Sequence, residues 1–383
     1  MKVSERTAVM EVDLSALRHN LAVVRALAGD REVIASVKAN AYGFGVVEMG
    51  RALTAAGIRK LWTGNIEEAI LLREAAVDAE ILLFGSLEPH QVDAVLRHEL
   101  QPTICNDANA AVLAQAAVIA GRPVPVWIKV DAGLGRFGVA IDEAPALIER
   151  AEATTGLELR GIYTHLPFGS TDGARWAGER ETCFHRMIDG LTRRRGPLHA
   201  TTQVWGSAGL LAGLSDASSA VCVGHALFGL SPLEPGVGSH PPLRPLVHSL
   251  SAPVLQVAHR GGGPSHPGGY GQVGGLRGAT LGIGLADGLA RARHGDAQVI
   301  VSGRCRPVRA FTLENLIIDV DDVAVEAYDR ALVIGAAGSA CITLENWAEW
   351  AGLSPLELML SLSGRIAVRY VDLARDAHQP SCA

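Results

Sequence analysis

The sequence predicts an α/β protein in which a parallel (βα)8 barrel is followed by a mostly β C-terminal domain. Up to about residue 230, eight short apolar, β-branched runs are each followed by a segment with helical periodicity. Residues 234–247 are rich in proline and glycine, and most later apolar runs have the length and turn signals of strands. A doubly wound sheet is the weaker alternative, because such sheets usually contain fewer strands.

The barrel elements follow one another at regular spacing, and we place this domain at residues 9–233. The predicted strands are Val33–Val37, Lys60–Thr63, Glu80–Phe84, Gln101–Ile104, Val124–Val130, Leu157–Thr164, Thr202–Trp205 and Ala220–Val223. Predicted helices include Leu14–Leu27, Ile66–Ala75 and Ala108–Ala120, the last of which is preceded by the capping residues Asn106 and Asp107.

The second predicted domain covers residues 234–383, and residues 1–8 are a candidate extra strand for it. Its predicted strands are Pro253–Val257, Gly278–Gly284, Gln298–Val301, Leu316–Val320 and Arg330–Gly335, with one clear helix at Pro355–Leu362. Residues 261–275 contain eight glycines and two prolines. This composition is too flexible for a strand, so a loop is predicted there.

The composition allows a large buried core and argues against a nucleic-acid partner. Hydrophobic residues make up 48% of the chain and charged residues 19%, with a formal net charge of −6. No apolar stretch reaches the roughly 18 residues of a membrane span, and the charged N-terminus lacks the apolar core of a signal peptide. The six cysteines are scattered and show no metal-ligand spacing. These features predict a reduced, soluble, cytoplasmic protein that holds no metal.

The candidate catalytic residues stand at the C-terminal ends of predicted barrel strands, where barrel enzymes carry their active sites. They are Lys38, Asp131 with Arg136, His165 and Ser207, together with the turn at Cys222–Gly224. Lys38 follows an apolar strand, so it either reaches solvent or serves as a Schiff-base lysine for an aldehyde cofactor. His165 is either a base or a hydrogen-bonded core histidine. Ser207 suits a phosphate site, a helix cap, or both.

The segment Gly133-Leu-Gly-Arg-Phe-Gly138 matches the glycine pattern of dinucleotide sites, but its context argues against that function. A dinucleotide site needs these glycines to open a helix in the first βαβ unit. Here they follow the fifth strand, and helix signals begin only near Asp142. We therefore interpret Arg136, which can bind a carboxylate bidentately, as the informative residue of the segment.

Together these segments resemble the alanine racemase family of pyridoxal 5'-phosphate (PLP) enzymes. Val37-Lys-Ala-Asn-Ala-Tyr-Gly43 resembles the signature of the PLP lysine, and Lys129–Gly138 resembles the segment that carries the substrate-site arginine. Further matches fall in the family's order from about residue 8 to residue 372 and include Thr164-His165, Ser207, Gly224–Gly229, Ala286–Gly288 and Arg365–Asp372. The resemblance implies a PLP-binding barrel, a β domain and a homodimer with shared active sites.

The resemblance also implies residue roles. Lys38 would hold PLP covalently and act as one of two bases, while Tyr42, Ser207 and Gly224 would bind the phosphate. Arg136 would orient the cofactor's phenolic oxygen and the substrate carboxylate, and His165 would stack near the ring. The second base would be the tyrosine of a Tyr-Gly pair from the other subunit, for which Tyr270 is the best match and His266 the alternative.

The chain departs from the family pattern at several site positions. Cys222 replaces the arginine that contacts the pyridine nitrogen, and Glu314-Asn315 replaces a Met-Asp pair at the substrate entrance. Leu285 replaces the tyrosine that precedes Ala-Asp-Gly, and Leu356 replaces a tyrosine that narrows the pocket. Phe44 stands where histidine is usual. The changes at the entrance suggest a substrate larger than alanine, with a cationic side chain that Glu314 would bind.

The sequence therefore predicts a PLP-dependent amino-acid racemase or epimerase that moves protons at Cα with two bases. Cys222 leaves open a non-racemizing PLP enzyme, namely a decarboxylase or a lyase. The number of altered site residues leaves open a PLP-binding paralogue with little catalysis.

Overall fold

The computed structural model describes residues 8–85, 87–259, 275–292, 296–362 and 364–373. Its strands are β1 (Val9–Asp13), β2 (Glu32–Ser36), β3 (Lys60–Thr63), β4 (Glu80–Leu83), β5 (Gln101–Ile104), β6 (Val124–Asp131), β7 (Val139–Ala140), β8 (Leu157–Tyr163), β9 (Thr201–Gln203), β10 (Ala220–Val223), β11 (Val247–His259), β12 (Arg277–Leu281), β13 (Gln298–Val301), β14 (Arg304–Phe311), β15 (Leu316–Asp319), β16 (Arg330–Ala337), β17 (Ala340–Ile342) and β18 (Ala367–Val371).

The α-helices alternate with the strands in the first part of the chain. They are α1 (Leu14–Ala28), α2 (Lys38–Tyr42), α3 (Val46–Ala55), α4 (Ile66–Glu74), α5 (Val92–Arg97), α6 (Asp107–Ala120), α7 (Ala144–Ala153), α8 (Thr171–Arg195), α9 (Ser207–Leu211), α10 (Leu344–Ala351) and α11 (Pro355–Ser361). Short 3₁₀ turns lie at Pro89–Gln91, His225–Phe228 and Leu285–Asp287. Within the described ranges, no helix combines the length and apolarity that a membrane span requires.

One compact unit, Arg18–Arg244, is the predicted barrel. Its eight barrel strands pair in parallel in the order β5-β4-β3-β2-β10-β9-β8-β6, and pairing of β5 with β6 closes the ring. The strands are buried over most of their length because helices cover the outside while side chains fill the inside. Ile34, Leu82, Trp127 and Tyr163 belong to the buried core inside the ring. This core supports the strand ends from which the site is built.

The second unit contains the described residues up to Leu17 together with those from Pro245 onward. Strands β11, β12, β15, β14, β13 and β16 form a closed ring in which every pairing is antiparallel, and β17 extends it. Strand β1 pairs antiparallel with β11 and parallel with β18. Residues 9–17, which include β1, group with this unit rather than with the barrel. The candidate strand within residues 1–8 lies, except for Ala8, outside the described residues.

The C-terminal unit carries two helices near its end, whereas the sequence indicated one. Thr343 caps α10 and accepts a hydrogen bond from the Asn346 N–H, and Ser354 caps α11 in the same way through Glu357. Each cap satisfies a backbone donor that a helix start would otherwise leave unpaired. The predicted loop at residues 261–275 lies, except for Gly275, outside the described residues.

Candidate active site

A cavity at the C-terminal ends of the barrel strands brings together the site residues that the sequence predicted for this domain. Its lining includes Lys38, Tyr42, Arg136, His165, Ser207, Cys222 and Gly224. Strands β2, β6, β8, β9 and β10 supply these residues at or just after their ends. The residues are distant in sequence, and the parallel order of the ring places them at one edge.

Lys38 directs its amine into an aromatic part of this cavity. Its Nζ atom lies 5.8 Å from the ring centre of Tyr42 and 5.7 Å from that of Phe84. Burial lowers the pKa of Lys38, and the nearby Arg136 charge lowers it further. A lysine of this kind loses its proton more readily than a surface lysine, and the unprotonated amine is the form that attacks an aldehyde.

The four residues after Lys38 form a left-handed turn. Ala39, Asn40, Ala41 and Tyr42 have φ values of 54°, 53°, 52° and 58°. This conformation costs a residue with a β-carbon roughly 1–2 kcal/mol, and it normally occurs at single positions. Four such residues in succession therefore need strong local support. The turn links Lys38 directly to Tyr42, so its geometry sets the positions of both side chains.

Ser207, Gly224 and Tyr42 form a polar corner of the cavity. The Ser207 Oγ atom accepts hydrogen bonds from the N–H groups of Gly224 and Ala226, each at 3.2 Å. The Tyr42 hydroxyl lies against Gly224, where an added β-carbon would fall 2.0 Å from its oxygen. The two hydroxyls thus meet beside the backbone of Gly224, and each can donate a hydrogen bond to a phosphate. The Tyr42 hydroxyl is also hydrogen-bonded to Ser36, and burial raises its pKa.

The described lining of the cavity carries basic side chains and no carboxylate. Besides Lys38 and Arg136, it contains Lys129, His165 and His225. Burial lowers the pKa of His165 to about 3 and that of His225 to about 4, and the Lys38 charge lowers both further. Burial and the Arg136 charge also lower the pKa of Lys129 to about 8. A cavity with this charge balance favours an anionic ligand.

The sequence reasoning missed Lys129 and gave His225 no binding role. Lys129 is 4% exposed inside β6, and its Nζ atom lies 5.1 Å from the ring centre of Phe137. A lysine flanked by apolar residues within a predicted barrel strand was the available signal. His225 follows Gly224 directly, and its ring lies 5.1 Å from that of Tyr42, edge to face.

The glycine-rich segment after β6 is a loop shaped by Asp131. The Asp131 carboxylate accepts hydrogen bonds from the Gly133 N–H at 2.9 Å and from the Gly135 N–H at 2.9 and 3.1 Å. The segment does not open a helix, since α7 begins only at Ala144. Its backbone donors bind Asp131 rather than a nucleotide phosphate, and the loop carries Arg136 to the cavity.

Cys222 is the last-but-one residue of β10 and contributes a neutral group to the lining. Burial raises the pKa of the Cys222 thiol to about 12, although the Lys38 charge opposes this shift. The thiol is thus uncharged near neutral pH and is a weak hydrogen-bond donor.

The described lining of this cavity does not include the remaining predicted site residues. Tyr270 and His266 fall outside the described residues. Glu314 and Asn315 belong to the C-terminal unit, where the Glu314 carboxylate accepts a 2.9 Å hydrogen bond from the Arg365 guanidinium. The Asn315 amide donates to the Leu281 carbonyl at 3.3 Å. Glu314 is therefore already paired with a cation of its own unit.

A larger cavity of about 760 Å³ lies at the opposite, N-terminal ends of the barrel strands. Its lining alternates basic and acidic residues, and the Arg73 guanidinium there donates to the carbonyls of Ala79, His98 and Glu99. These contacts hold loops together. Because barrel enzymes act at the C-terminal ends of their strands, the smaller cavity around Lys38 is the candidate site.

Comparison with known proteins agrees with this geometry. The family model for the alanine racemase N-terminal domain matches residues 12–232, and that for the alanine racemase C-terminal domain matches residues 247–370. The chain belongs to the alanine racemase family. The predicted family and the predicted fold, a closed eight-stranded parallel barrel followed by a mostly β domain, are thus confirmed.

Relatives named alanine racemase cover nearly the whole chain. Those from Chlorobaculum tepidum and Mycolicibacterium smegmatis are each 33% identical and align with 93% and 94%, respectively, of both chains. The solved alanine racemase from Streptomyces coelicolor A3(2) is 28% identical, with a TM-score of 0.82 over 95% of this chain and 98% of its own.

A further solved alanine racemase, from Bartonella henselae, has the same fold. It has a TM-score of 0.78 at 24% identity over 95% of this chain and 99% of its own, and it is described with covalently bound pyridoxal phosphate. The family to which the chain belongs thus comprises racemases, which are isomerases, and includes a protein that binds PLP covalently. These relatives favour the racemase over the decarboxylase, the lyase and the weakly catalytic paralogue that the sequence left open.

Proposed function

We propose that this chain is an amino-acid racemase that binds PLP through Lys38 and moves protons at Cα with two bases. The observation that carries the proposal is the cavity around Lys38, whose described lining combines five basic side chains with hydroxyl and backbone donors and no carboxylate. PLP and an amino acid bring a phosphate, a phenolic oxygen and a carboxylate, so their anionic groups match this lining.

The residues of the cavity fit PLP. When bound, PLP withdraws electrons from the substrate and so makes the Cα proton acidic. Ser207, Tyr42 and the backbone of Gly224 would hold the phosphate, where the absence of a β-carbon at position 224 leaves room for the Tyr42 hydroxyl. Arg136 would bind the substrate carboxylate. His165, neutral because of its lowered pKa, would pack near the ring without adding charge.

The two bases would act on opposite faces of the substrate. The Lys38 amine, whose pKa is lowered by burial, would take the Cα proton on one face. An acid on the other face would return a proton to the same carbon, and the reverse reaction would exchange the two roles. We assign the second role to Tyr270 of the partner subunit, with His266 of the partner subunit as the alternative, so the active enzyme would be a homodimer. A cytoplasmic location remains a prediction.

We expect alanine, the amino acid in the names of the relatives, to be the first substrate to test. The larger cationic substrate suggested by Glu314 remains a hypothesis. The contact between Glu314 and Arg365 argues against it, because the Glu314 carboxylate already binds a cation. Racemization of alanine, serine, lysine, ornithine and arginine should be measured side by side. Turnover of the basic amino acids alone would contradict the expectation for alanine.

Covalent trapping tests the assignment of Lys38. The chain has four lysines, of which Lys38 and Lys129 line the cavity and Lys60 does not. The protein is treated with PLP and borohydride, digested and analysed by mass spectrometry. We expect the added cofactor mass on Lys38, its loss in Lys38→Arg, and its retention in Lys60→Arg, the matched control. Cofactor mass on Lys129 alone would contradict the assignment.

Proton exchange in deuterated water tests the reaction. A racemase should introduce deuterium at Cα together with inversion, and Lys38→Arg should abolish both. Release of CO₂ or of an aldehyde would instead identify the decarboxylase or the lyase. Stoichiometric cofactor binding without exchange would identify the weakly catalytic paralogue.

Complementation tests the shared active site. Lys38→Ala and Tyr270→Phe subunits, each inactive alone, are expressed together. If Tyr270 acts across the interface, each mixed dimer contains one intact site of its two. Random association makes about half of the dimers mixed, so about a quarter of the wild-type activity should return. If Tyr270 acts within its own subunit, both sites of every mixed dimer carry a defect and no activity returns.

A further inference from the structure

The left-handed turn after Lys38 is attached to the barrel through the side chain of Glu68. The Asn40 N–H, in the middle of the turn, donates a 2.6 Å hydrogen bond to Glu68 Oε1. The other carboxylate oxygen, Oε2, accepts a 2.5 Å hydrogen bond from the Thr63 hydroxyl. One carboxylate thus joins the turn to the end of strand β3.

The attachment point is rigid. Thr63 is fully buried at the last position of β3, and Glu68 lies in the first turn of α4, directly after that strand. Helix α4 begins at a cap in which the Asn65 side chain accepts hydrogen bonds from the Glu67 and Glu68 N–H groups. The position of Glu68 is therefore fixed by a buried strand end and a capped helix.

The turn also has a second support on its other side. The Asn40 side chain Oδ1 accepts a 2.8 Å hydrogen bond from the Val46 N–H at the start of α3. The contact with Val46 stabilises the exit of the turn, whereas the contact with Glu68 links the turn to the neighbouring barrel strand. Of these two contacts of Asn40, the one with Glu68 joins the turn to a barrel strand end.

We propose that Glu68 is a positioning residue for the reaction: its carboxylate holds the left-handed turn so that Lys38 and Tyr42 face the cavity together. Glu68 acts through the turn, and it is absent from the described lining of the cavity. The inference rests on the proposed function of Lys38. Glu68, a residue of α4, would thus help to fix the positions of two residues that bind the cofactor.

The test compares Glu68→Ala with Glu68→Gln in the full-length protein. Glu68→Ala removes both acceptors, so we expect cofactor affinity and kcat to fall by about 10- to 100-fold, with KM for the amino acid changed less than about threefold. The visible absorbance of bound PLP should also shift, because the environment of the amine changes. In Glu68→Gln the amide oxygen still accepts from Asn40, so cofactor affinity and kcat should stay within about threefold of wild type.

Glu67→Ala is the matched control, because Glu67 is the exposed neighbour on the same helix and carries the same charge. It should behave like wild type in every measurement. If Glu68→Ala fails to fold, Thr63→Val supplies the same test. That change removes one anchor of the carboxylate, and it should weaken cofactor affinity by a few-fold while Thr63→Ser restores it.

The outcomes separate this inference from the proposed function. If borohydride fails to trap the cofactor on Lys38 of the wild-type protein, the proposed function fails. If wild type is trapped but Glu68→Ala keeps its cofactor affinity, absorbance and kcat, the positioning role alone is wrong. It is also wrong if Glu68→Gln is as impaired as Glu68→Ala, or if Glu68→Ala changes only the melting temperature.

Discussion

The hydroxyl oxygen of Tyr42 occupies the space that a side chain at Gly224 would fill, since a β-carbon there would lie 2.0 Å away. The Tyr42 ring cannot withdraw freely, because it packs 5.0 Å from the ring of Phe228 and 5.1 Å from that of His225. The polar corner of the cavity therefore depends on glycine at position 224.

Gly224→Ala should displace the Tyr42 hydroxyl and weaken PLP binding by about tenfold or more, which corresponds to at least 1.4 kcal/mol. Cofactor titration followed by absorbance measures the effect. The control is Gly178→Ala in helix α8, where a β-carbon meets nothing within 4 Å. That change should leave PLP affinity unaltered and stabilise the protein by about 0.5–1 kcal/mol. Equal PLP affinity in the Gly224 variant would contradict the prediction.

Asp131→Ala should release the glycine-rich loop, because its carboxylate accepts the hydrogen bonds from Gly133 and Gly135. Arg136 would lose its fixed position, and we expect kcat/KM for the amino acid to fall by about 10- to 100-fold. Steady-state racemization assays measure this change, and Asp131→Asn should be milder since one acceptor remains.

Asp142→Ala provides the comparison for the Asp131 variants, because Asp142 is exposed and lies farther along the same connection. It removes the same charge without touching the loop glycines. A loss of activity equal to that of Asp131→Ala would indicate a general charge effect rather than a fixed loop.

Cys222 should resist alkylation near neutral pH, because burial raises the pKa of its thiol to about 12 and the thiolate is the reactive form. Cys305, which is exposed, serves as the internal control. At about pH 8, iodoacetamide should modify Cys305 at least about 100-fold faster than Cys222, as followed by peptide mass spectrometry. Bound PLP should protect Cys222 further. Equal labelling rates would contradict the buried, protonated thiol.

His185 should stabilise the fold more in acid than in base. Burial alone lowers the pKa of His185, but the hydrogen bond to Asp216 and the charges of Asp216 and Glu181 raise it overall. Because the pKa of His185 is higher in the folded than in the unfolded chain, His185 stabilises the fold fully below the ordinary pKa of 6.5. This stabilisation is lost as the pH rises through the folded-state pKa. His185→Gln should therefore lower the melting temperature by about 2 °C at acid pH and less at alkaline pH.

Melting curves between about pH 5 and about pH 9 test the His185 prediction. His199→Gln is the control, because His199 is exposed and should show no such trend. A destabilisation by His185→Gln that grows with rising pH would reverse the expected sign.

Much of the fold could be predicted from periodicity alone. The strands Lys60–Thr63, Gln101–Ile104, Ala220–Val223 and Gln298–Val301 lie where the sequence placed them. Short, mostly apolar runs are enough for this, because a buried strand needs little else. Strand β14 was missed because its first half consists of charged residues and a proline without a clean period of two. Helix α10 was also missed, although its buried residues recur at helical spacing and Thr343 caps it.

The candidate site could be predicted only in part, because a motif reports residue types and not their surroundings. Lys38, Arg136, His165 and Ser207 were found as groups at strand ends. The cationic character of the cavity also depends on Lys129, for which the available signal was a lysine flanked by apolar residues in a predicted strand.

The amino-acid pattern was enough to predict the alternation of strands and helices, the change to a β domain and the family. The folded chain was needed to show that four residues after Lys38 turn left-handed, that Glu68 supports this turn, and that Glu314 pairs with Arg365. Hydrophobic period can be predicted because it is a local property of the chain. Hydrogen bonds, burial and pKa shifts depend on groups that the fold brings together from distant segments.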